Sequence, residues 1–192
     1  MIKAAIWLCL MFGSNRSIEV TSGFGGIVWE NVQDHPIKSD IMTNITVKRI
    51  FSDGWFYGTG ITFNSYSGDG YYFYGAGAII LDFMIYRKIN MEDLKIVMGF
   101  GGAATMLYSR RLIPGGESIP EGVYSYWNAG LSGAVSLGIF KPVTSALEFG
   151  IKMNFYAGGY LNRCWENGEE DCRKRDQTLQ QWFVGVVLRF SY

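Results

Sequence analysis

In the C-terminal segment of the chain, every second residue from 182 to 192 is large and apolar. The positions between them are mixed and include Gly185, Arg189 and Ser191. Successive side chains of a β-strand point to opposite faces, so a period of two indicates a strand. The segment therefore predicts a β-strand with one continuous apolar face, formed by Trp182, Val184, Val186, Leu188, Phe190 and Tyr192.

Seven segments upstream share this period of two, and most of them have one apolar face opposite a face of small or polar residues. The register of the first is ambiguous around Gly23, Gly25 and Gly26, and in the fourth we expect Asp82 to point inward. The length of 192 residues suits one domain, and 25 glycines with only 4 prolines suit many short strands. The predicted strands cover residues 18–30, 41–51, 55–64, 71–86, 94–108, 123–140, 144–158 and the C-terminal segment.

The connections between these strands alternate in length. Those after the second, fourth and sixth strands are short, at 52–54, 87–93 and 141–144. Short turns on one side and longer loops on the other are typical of outer-membrane barrels, whose short turns face the periplasm. The other connections tend to be longer and more polar, at 31–40, 65–70, 109–122 and 159–178.

The bulky face of the predicted strands suits lipid better than a soluble interior. A soluble barrel would need charge on its second face, yet the second face of 123–140 carries none. One charge facing lipid at the bilayer midplane costs about 2–4 kcal/mol, and the mid-strand charges all fall on the face opposite the bulky one. No apolar run reaches 18 residues, so a membrane-spanning chain must be a closed barrel. The fold class is therefore predicted as all-β, an eight-stranded antiparallel up-and-down transmembrane β-barrel. The mid-strand charges are Glu19, Lys48, Asp82, Lys95, Glu148, Lys152 and Arg189.

The first residues are typical of an export signal. Lys3 precedes an apolar stretch at 4–12, and small residues follow it. We predict a signal peptide at 1–17 and a barrel domain at 18–192; a buried N-terminal strand is the alternative for the first segment. The 17 basic and 17 acidic residues balance, which argues against a nucleic-acid partner.

With its terminal WFVGVVLRFSY, the chain resembles the small eight-stranded outer-membrane barrel proteins, OmpA/OmpX-like or OmpW-like. The resemblance covers the whole predicted barrel and implies a bacterial outer-membrane location. It also implies that the barrel assembly machinery reads the last strand. We expect a monomer surrounded by outer-membrane lipid and lipopolysaccharide.

Six inward charges are expected to form a polar network inside the barrel. Glu148 and Lys152 lie four residues apart on one face, or about 13 Å along the strand, too far to pair directly. Arg189 or Lys95 could bridge them. The network is either structural, because a buried charge needs a partner, or a gate for small solutes. Its predicted members are Lys48, Asp82, Lys95, Glu148, Lys152 and Arg189.

The outer connections offer two candidate surfaces. Cys164 and Cys172 flank a polar segment that could bend to form a disulfide in an oxidising compartment. A basic run follows an acidic one there, and Arg110 with Arg111 lies at the expected headgroup level, where phosphates could be contacted. The residues expected to contact lipopolysaccharide or a surface partner are Arg110, Arg111, Arg173, Lys174 and Arg175.

We expect no enzyme, no cofactor and no metal. The cysteines form no C-x-x-C pattern. His35 is the only histidine and fits a solvated loop better than a general base. The predicted function is a structural or surface-contact role in adhesion or partner binding. A narrow channel for small or hydrophobic solutes is the alternative, and a lipid A-modifying enzyme is the third hypothesis.

Overall fold

The structure, a computed structural model, describes residues 16–29, 37–68, 75–113, 122–165 and 176–191. These residues form eight strands, and short turns at 53–54, 91–94 and 143–146 lie among them. No helix in this part of the chain is long and apolar enough to cross a membrane. The strands are β1 (Arg16–Trp29), β2 (Ile37–Ser52), β3 (Trp55–Gly68), β4 (Gly75–Asn90), β5 (Lys95–Ile113), β6 (Gly122–Pro142), β7 (Leu147–Trp165) and β8 (Asp176–Ser191).

Each strand pairs antiparallel with the next, and β8 pairs with β1 to close the barrel. The closing pair runs from Ser17 opposite Ser191 to Trp29 opposite Leu179. Closure leaves no unpaired sheet edge, which is the condition for a sheet to exist in lipid. The predicted eight-stranded antiparallel up-and-down barrel is confirmed.

Several strands are longer than the sequence pattern predicts. β5 continues to Ile113 and β7 to Trp165, so the predicted loops at 109–122 and 159–178 are wrong in extent. Backbone pairing continues through polar segments because it depends on neighbouring strands and not on side-chain polarity. The turn after β4 is also shorter than predicted, since Met91 N donates to Leu94 O at 2.8 Å.

The register of β1 is regular against β8 but shifts against β2. Between the pairs Gly23–Met42 and Gly26–Lys38, β2 has one residue more than β1, so the bulge lies in β2. β1 begins at Arg16, two residues before the predicted barrel domain and inside the predicted signal peptide at 1–17. Residues 1–15 lie outside the described part of the chain, so the signal peptide stays a prediction.

Large apolar side chains cover the outside of the barrel. Leu131 is 75% exposed, Ile151 60% and Phe100 58%. An apolar surface this continuous is unfavourable in water but suits acyl chains. Other members of this outer surface are Leu81, Phe83, Met106, Val135, Phe149, Val186, Leu188 and Phe190.

The inside of the barrel is filled by side chains, several of them aromatic. Inward glycines make the room for these rings: a Cβ on Gly99 would overlap the ring of Tyr86. One on Gly58 would come within 3.0 Å of the same ring and 2.9 Å of Lys48 Cγ. The large buried side chains include Met42, Ile80, Met84, Tyr86, Leu107, Phe140, Tyr156 and Phe183.

We expect Gly99→Ala to lower the free energy of unfolding by about 1–3 kcal/mol, because the new methyl group meets the ring of Tyr86. Gly102→Ala is the matched control on the same strand, since its Cβ would lie 3.7 Å from the nearest atom, Ser132 O. Urea titration of both variants in lipid vesicles, followed by tryptophan fluorescence, measures the difference. Equal stabilities would contradict the packing assigned to Gly99.

Candidate functional site

Glu19 of β1 is the centre of a buried ion-pair network inside the barrel. Its side chain is fully buried, and its carboxylate contacts three cations. Oε1 lies 2.6 Å from Lys48 Nζ and 2.6 Å from Arg189 Nη2. Oε2 lies 3.1 Å from Lys152 Nζ. One carboxylate thus ties β1 to β2, β7 and β8.

Strand register places the acidic and basic groups opposite each other. Arg189 on β8 is the direct partner of Glu19 on β1 and of Glu148 on β7. Opposite charges in directly paired positions stabilise a sheet. Arg189 therefore stands between the two carboxylates and contacts both, with Nη1 2.7 Å from Glu148 Oε2.

Lys152 lies on β7, four residues after Glu148. Its two cross-strand neighbours are Gly138 and Gly185, so no side chain flanks it. The extended amine crosses the barrel and donates to Asn44 Oδ1 at 3.1 Å and to Thr46 Oγ1 at 3.0 Å, besides pairing with Glu19. All of these contacts join β7 to β1 or β2.

The polar contacts continue along β2 and β3. Thr46 Oγ1 donates to Asn44 Oδ1 at 2.7 Å, and Asn44 Nδ2 donates to Thr62 Oγ1 at 2.8 Å. All three side chains are fully buried. Hydrogen bonding of this kind offsets the desolvation of buried polar groups.

Lys95 and two aromatic rings complete the network. Lys95 pairs with Glu148, although β6 separates their strands. The guanidinium of Arg189 lies 3.6 Å from the ring centroid of Phe140, and Lys48 Nζ lies 3.7 Å from that of Tyr86. Cations over aromatic faces gain stability beyond their ion pairs.

Asp82 makes no ion pair with this network among the described residues. Its Oδ2 accepts from the hydroxyl of Tyr156 at 3.1 Å, and Asn154 Nδ2 donates to the same hydroxyl at 3.2 Å. Its Oδ1 has no hydrogen-bond partner among the described residues. The structure thus joins five of the six residues of the predicted network by ion pairs and places Asp82 beside them, hydrogen-bonded to Tyr156.

Glu19 is the residue missing from the six-member network predicted from the sequence. It was identified as an inward mid-strand charge, but the uncertain register of the first strand gave it no partners. The sequence pattern that marks Glu19 as inward is the local alternation, in which the buried Ser17, Glu19 and Thr21 alternate with Ile18 and Val20. The pairing of β1 with β2 is regular from Arg16 to Gly23, so Glu19 lies in a regular part of the strand.

A cavity of about 380 Å³ adjoins the network at one end of the barrel. It lies at the end that holds both the start of β1 and the end of β8, since Arg16 and Ser191 line it. Lys48, Glu148 and Arg189 line it as well and belong to the network. The remaining lining residues are Ser17, Ile50, Phe56, Lys88, Lys95, Val97 and Ser145.

The candidate outer surfaces fall at the margin of the described residues. Cys172, His35 and the basic run at 173–175 lie outside them. Arg110 and Arg111 lie on β5 and Cys164 on β7, so the expectation that they belong to loops is wrong. The disulfide between Cys164 and Cys172 stays a prediction.

No protein-family model matches the chain, and no curated protein matches it in sequence. Its fold is similar to solved structures of bacterial outer-membrane proteins. The OprG structure from Pseudomonas aeruginosa has a TM-score of 0.59 at 10% identity, and the Neisserial surface protein A structure has 0.58 at 8%. Each match covers 93% of this chain and 98% of the other. A major outer-membrane protein of Thermus thermophilus has a TM-score of 0.52 at 9% identity, with 93% of this chain and 100% of that chain covered. The predicted resemblance to small outer-membrane barrels is thus confirmed for the fold.

We expect Glu19→Gln to destabilise the barrel by about 3–5 kcal/mol, because it removes the negative charge from three buried cations. Glu92→Gln, in an exposed turn, is the control and should stay within about 0.5 kcal/mol of the parent. Urea unfolding in lipid vesicles measures both.

The double variant Glu19→Gln with Lys152→Met distinguishes charge from shape. In Glu19→Gln, Lys152 is a buried cation that has lost its ion pair. Replacing it with Met should therefore recover part of the stability lost in Glu19→Gln. A loss equal to the sum of the two single losses would contradict the coupling of Glu19 and Lys152.

Proposed function

We propose that the protein is an integral barrel of the bacterial outer membrane, closed to solutes, with a structural role and a contact role at the cell surface. The observation that carries this proposal is the Glu19 network, which crosses the interior from β1 to β2, β7 and β8. The alternatives are a narrow channel and a lipid A-modifying enzyme.

The outward apolar residues support a membrane location. Leu131, Val135 and Leu137 alternate along β6 with the buried Ser132, Ala134 and Ser136. This alternation is that of a strand with lipid on one side and a packed interior on the other. The fold shared with outer-membrane proteins supports the same location.

The packed interior supports a barrel that does not conduct. An ion passing Glu19 would have to separate it from cations held at 2.6 to 3.1 Å. Within and around the network, the rings of Tyr86, Phe140, Tyr156 and Phe183 are each at most 1% exposed. An eight-stranded barrel is narrow enough for such side chains to fill it.

The long strands support a role at the surface. β5, β6 and β7 have 19, 21 and 19 residues, while a bilayer needs about 9–11 per strand. All three extend at the end opposite the short turns, which is the outer end of an outer-membrane barrel. The outer ends of these strands therefore lie beyond the apolar layer, and we propose that the basic run at 173–175, which follows β7 in the sequence, contacts lipopolysaccharide phosphates.

The channel is the second candidate because of the cavity of about 380 Å³ at the short-turn end. It is open space that the packed centre does not fill. We propose no catalytic role: a lipid A enzyme would need a histidine with a nucleophile and an acidic partner, and the one histidine is His35.

Planar-bilayer recordings test whether the barrel conducts. We expect no discrete current steps from refolded protein whose insertion is verified by different gel mobility before and after boiling. The double variant Tyr86→Ala with Tyr156→Ala, which removes two buried rings, should pass ions if it folds. Reproducible steps from the unaltered protein would sink the closed-barrel proposal and favour the channel.

Binding to immobilised lipopolysaccharide tests the surface role. We expect the triple variant Arg173→Gln, Lys174→Gln and Arg175→Gln to bind at least about tenfold more weakly, because charge-assisted contacts to phosphate are lost. The control is Lys141→Gln, at the opposite end of the barrel. Unchanged affinity in the triple variant would refute this contact.

A further inference from the structure

The cavity at the short-turn end carries far more positive than negative charge. Five of its lining side chains are cationic and one is a carboxylate. That carboxylate, Glu148, is already engaged on both oxygens, by Lys95 and by Arg189. The cationic lining residues are Arg16, Lys48, Lys88, Lys95 and Arg189.

Glu19 offsets only part of this excess. It pairs with Lys48 and Arg189 from behind the cavity, but it also serves Lys152. Even with Arg16 left out, the cations Lys48, Lys88, Lys95 and Arg189 outnumber the two carboxylates Glu19 and Glu148, so the lining has a net positive charge. Such an excess inside low-dielectric walls attracts an anion.

Among the cations that line the cavity, Lys88 is one whose charge no carboxylate of the described residues offsets directly. Among the described residues no carboxylate lies within ion-pair distance of it, and its Nζ sits 5.6 Å from the ring centroid of Phe56. Unlike Lys48 or Arg189, it takes no part in the Glu19 network. Its amine is therefore available to a ligand without breaking an ion pair of the barrel.

Neutral donors and apolar walls complete the site. The hydroxyls of Ser17 and Ser191 belong to directly paired positions of β1 and β8, and Ser145 adds a third. Ile50, Phe56 and Val97 form apolar wall. Several cations with hydroxyl donors match the multiple oxygens and double charge of a phosphate group better than a single carboxylate. The volume falls in the range of small-ligand sites.

We infer that this cavity is a binding site for a small phosphate-bearing anion that enters from the periplasmic side. The phosphate group can come from free phosphate or a soluble monoester, or from a lipid headgroup. Binding here is independent of the proposed surface role, which concerns the opposite end, and of whether the barrel conducts.

Calorimetric titration of the refolded protein in a phosphate-free maltoside detergent, at low ionic strength, tests the inference with inorganic phosphate and glycerol 3-phosphate as probes. We expect saturable binding of one anion per barrel. Lys88→Gln should weaken it at least about tenfold, since a charge-assisted contact is lost. Lys88→Arg should retain it.

Lys141→Gln is the matched control, because Lys141 lies at the same end of the barrel, is exposed and does not line the cavity. Its affinity should stay within about twofold of the parent. The gel-mobility difference on boiling verifies the fold of each variant. Equal weakening by Lys88→Gln and Lys141→Gln would mean nonspecific attraction and would overturn the site.

A second arm separates the two sources of phosphate. Micelles doped with phosphatidylglycerol should compete with the soluble probes if headgroups reach the cavity, and Lys88→Gln should abolish that competition. No competition, with binding of the soluble probes intact, assigns the site to soluble anions. Failure of both soluble probes and lipid to bind overturns the inference.

Discussion

The interior of an eight-stranded barrel is narrow and shielded from water, so a charge buried at its centre is costly unless an opposite charge lies beside it. Glu19 supplies that opposite charge to three cations, Lys48, Lys152 and Arg189, and Glu148 shares the last of them. The cost of desolvating these groups makes the network weak as a net source of stability but intolerant of losing its one central carboxylate. Other interior residues surround this carboxylate. The rings of Phe140 and Tyr86 lie over Arg189 and Lys48, and glycines flank Lys152.

Strand pairing and space together decide which charges meet. Register sets Arg189 directly opposite both Glu19 and Glu148, whereas Lys152 reaches Glu19 only because its cross-strand neighbours are glycines. Gly138 and Gly185 therefore affect the network without contacting Glu19, because their lack of side chains leaves room for Lys152 to reach it. A cavity remains at the short-turn end, where most of the lining side chains are charged or polar, while the centre is packed.

The alternation of residues 182–192, repeated in seven upstream segments, predicts the strand number, the lipid and interior faces and the inward position of the charges, because a period of two depends only on local geometry. The partners of Glu19 cannot be predicted this way. They depend on the stagger between strands that are distant in sequence. Strand lengths were underestimated for a related reason: polar ends of β5 and β7 remain paired because their neighbours are equally long. The contact of Asp82 with Tyr156 joins side chains 74 residues apart on β4 and β7, which no local sequence pattern predicts.

The ion pair between Arg189 and Glu19 joins residues 170 positions apart, one on the first strand and one on the last. It can form only after the whole chain has been made and the sheet has curled until its two ends meet. Until then Glu19 can pair with Lys48 on the neighbouring strand, but not with Lys152 on β7 or Arg189 on β8. Contacts of such long sequence separation slow folding. Two of the three ion pairs of Glu19 therefore depend on closure of the barrel.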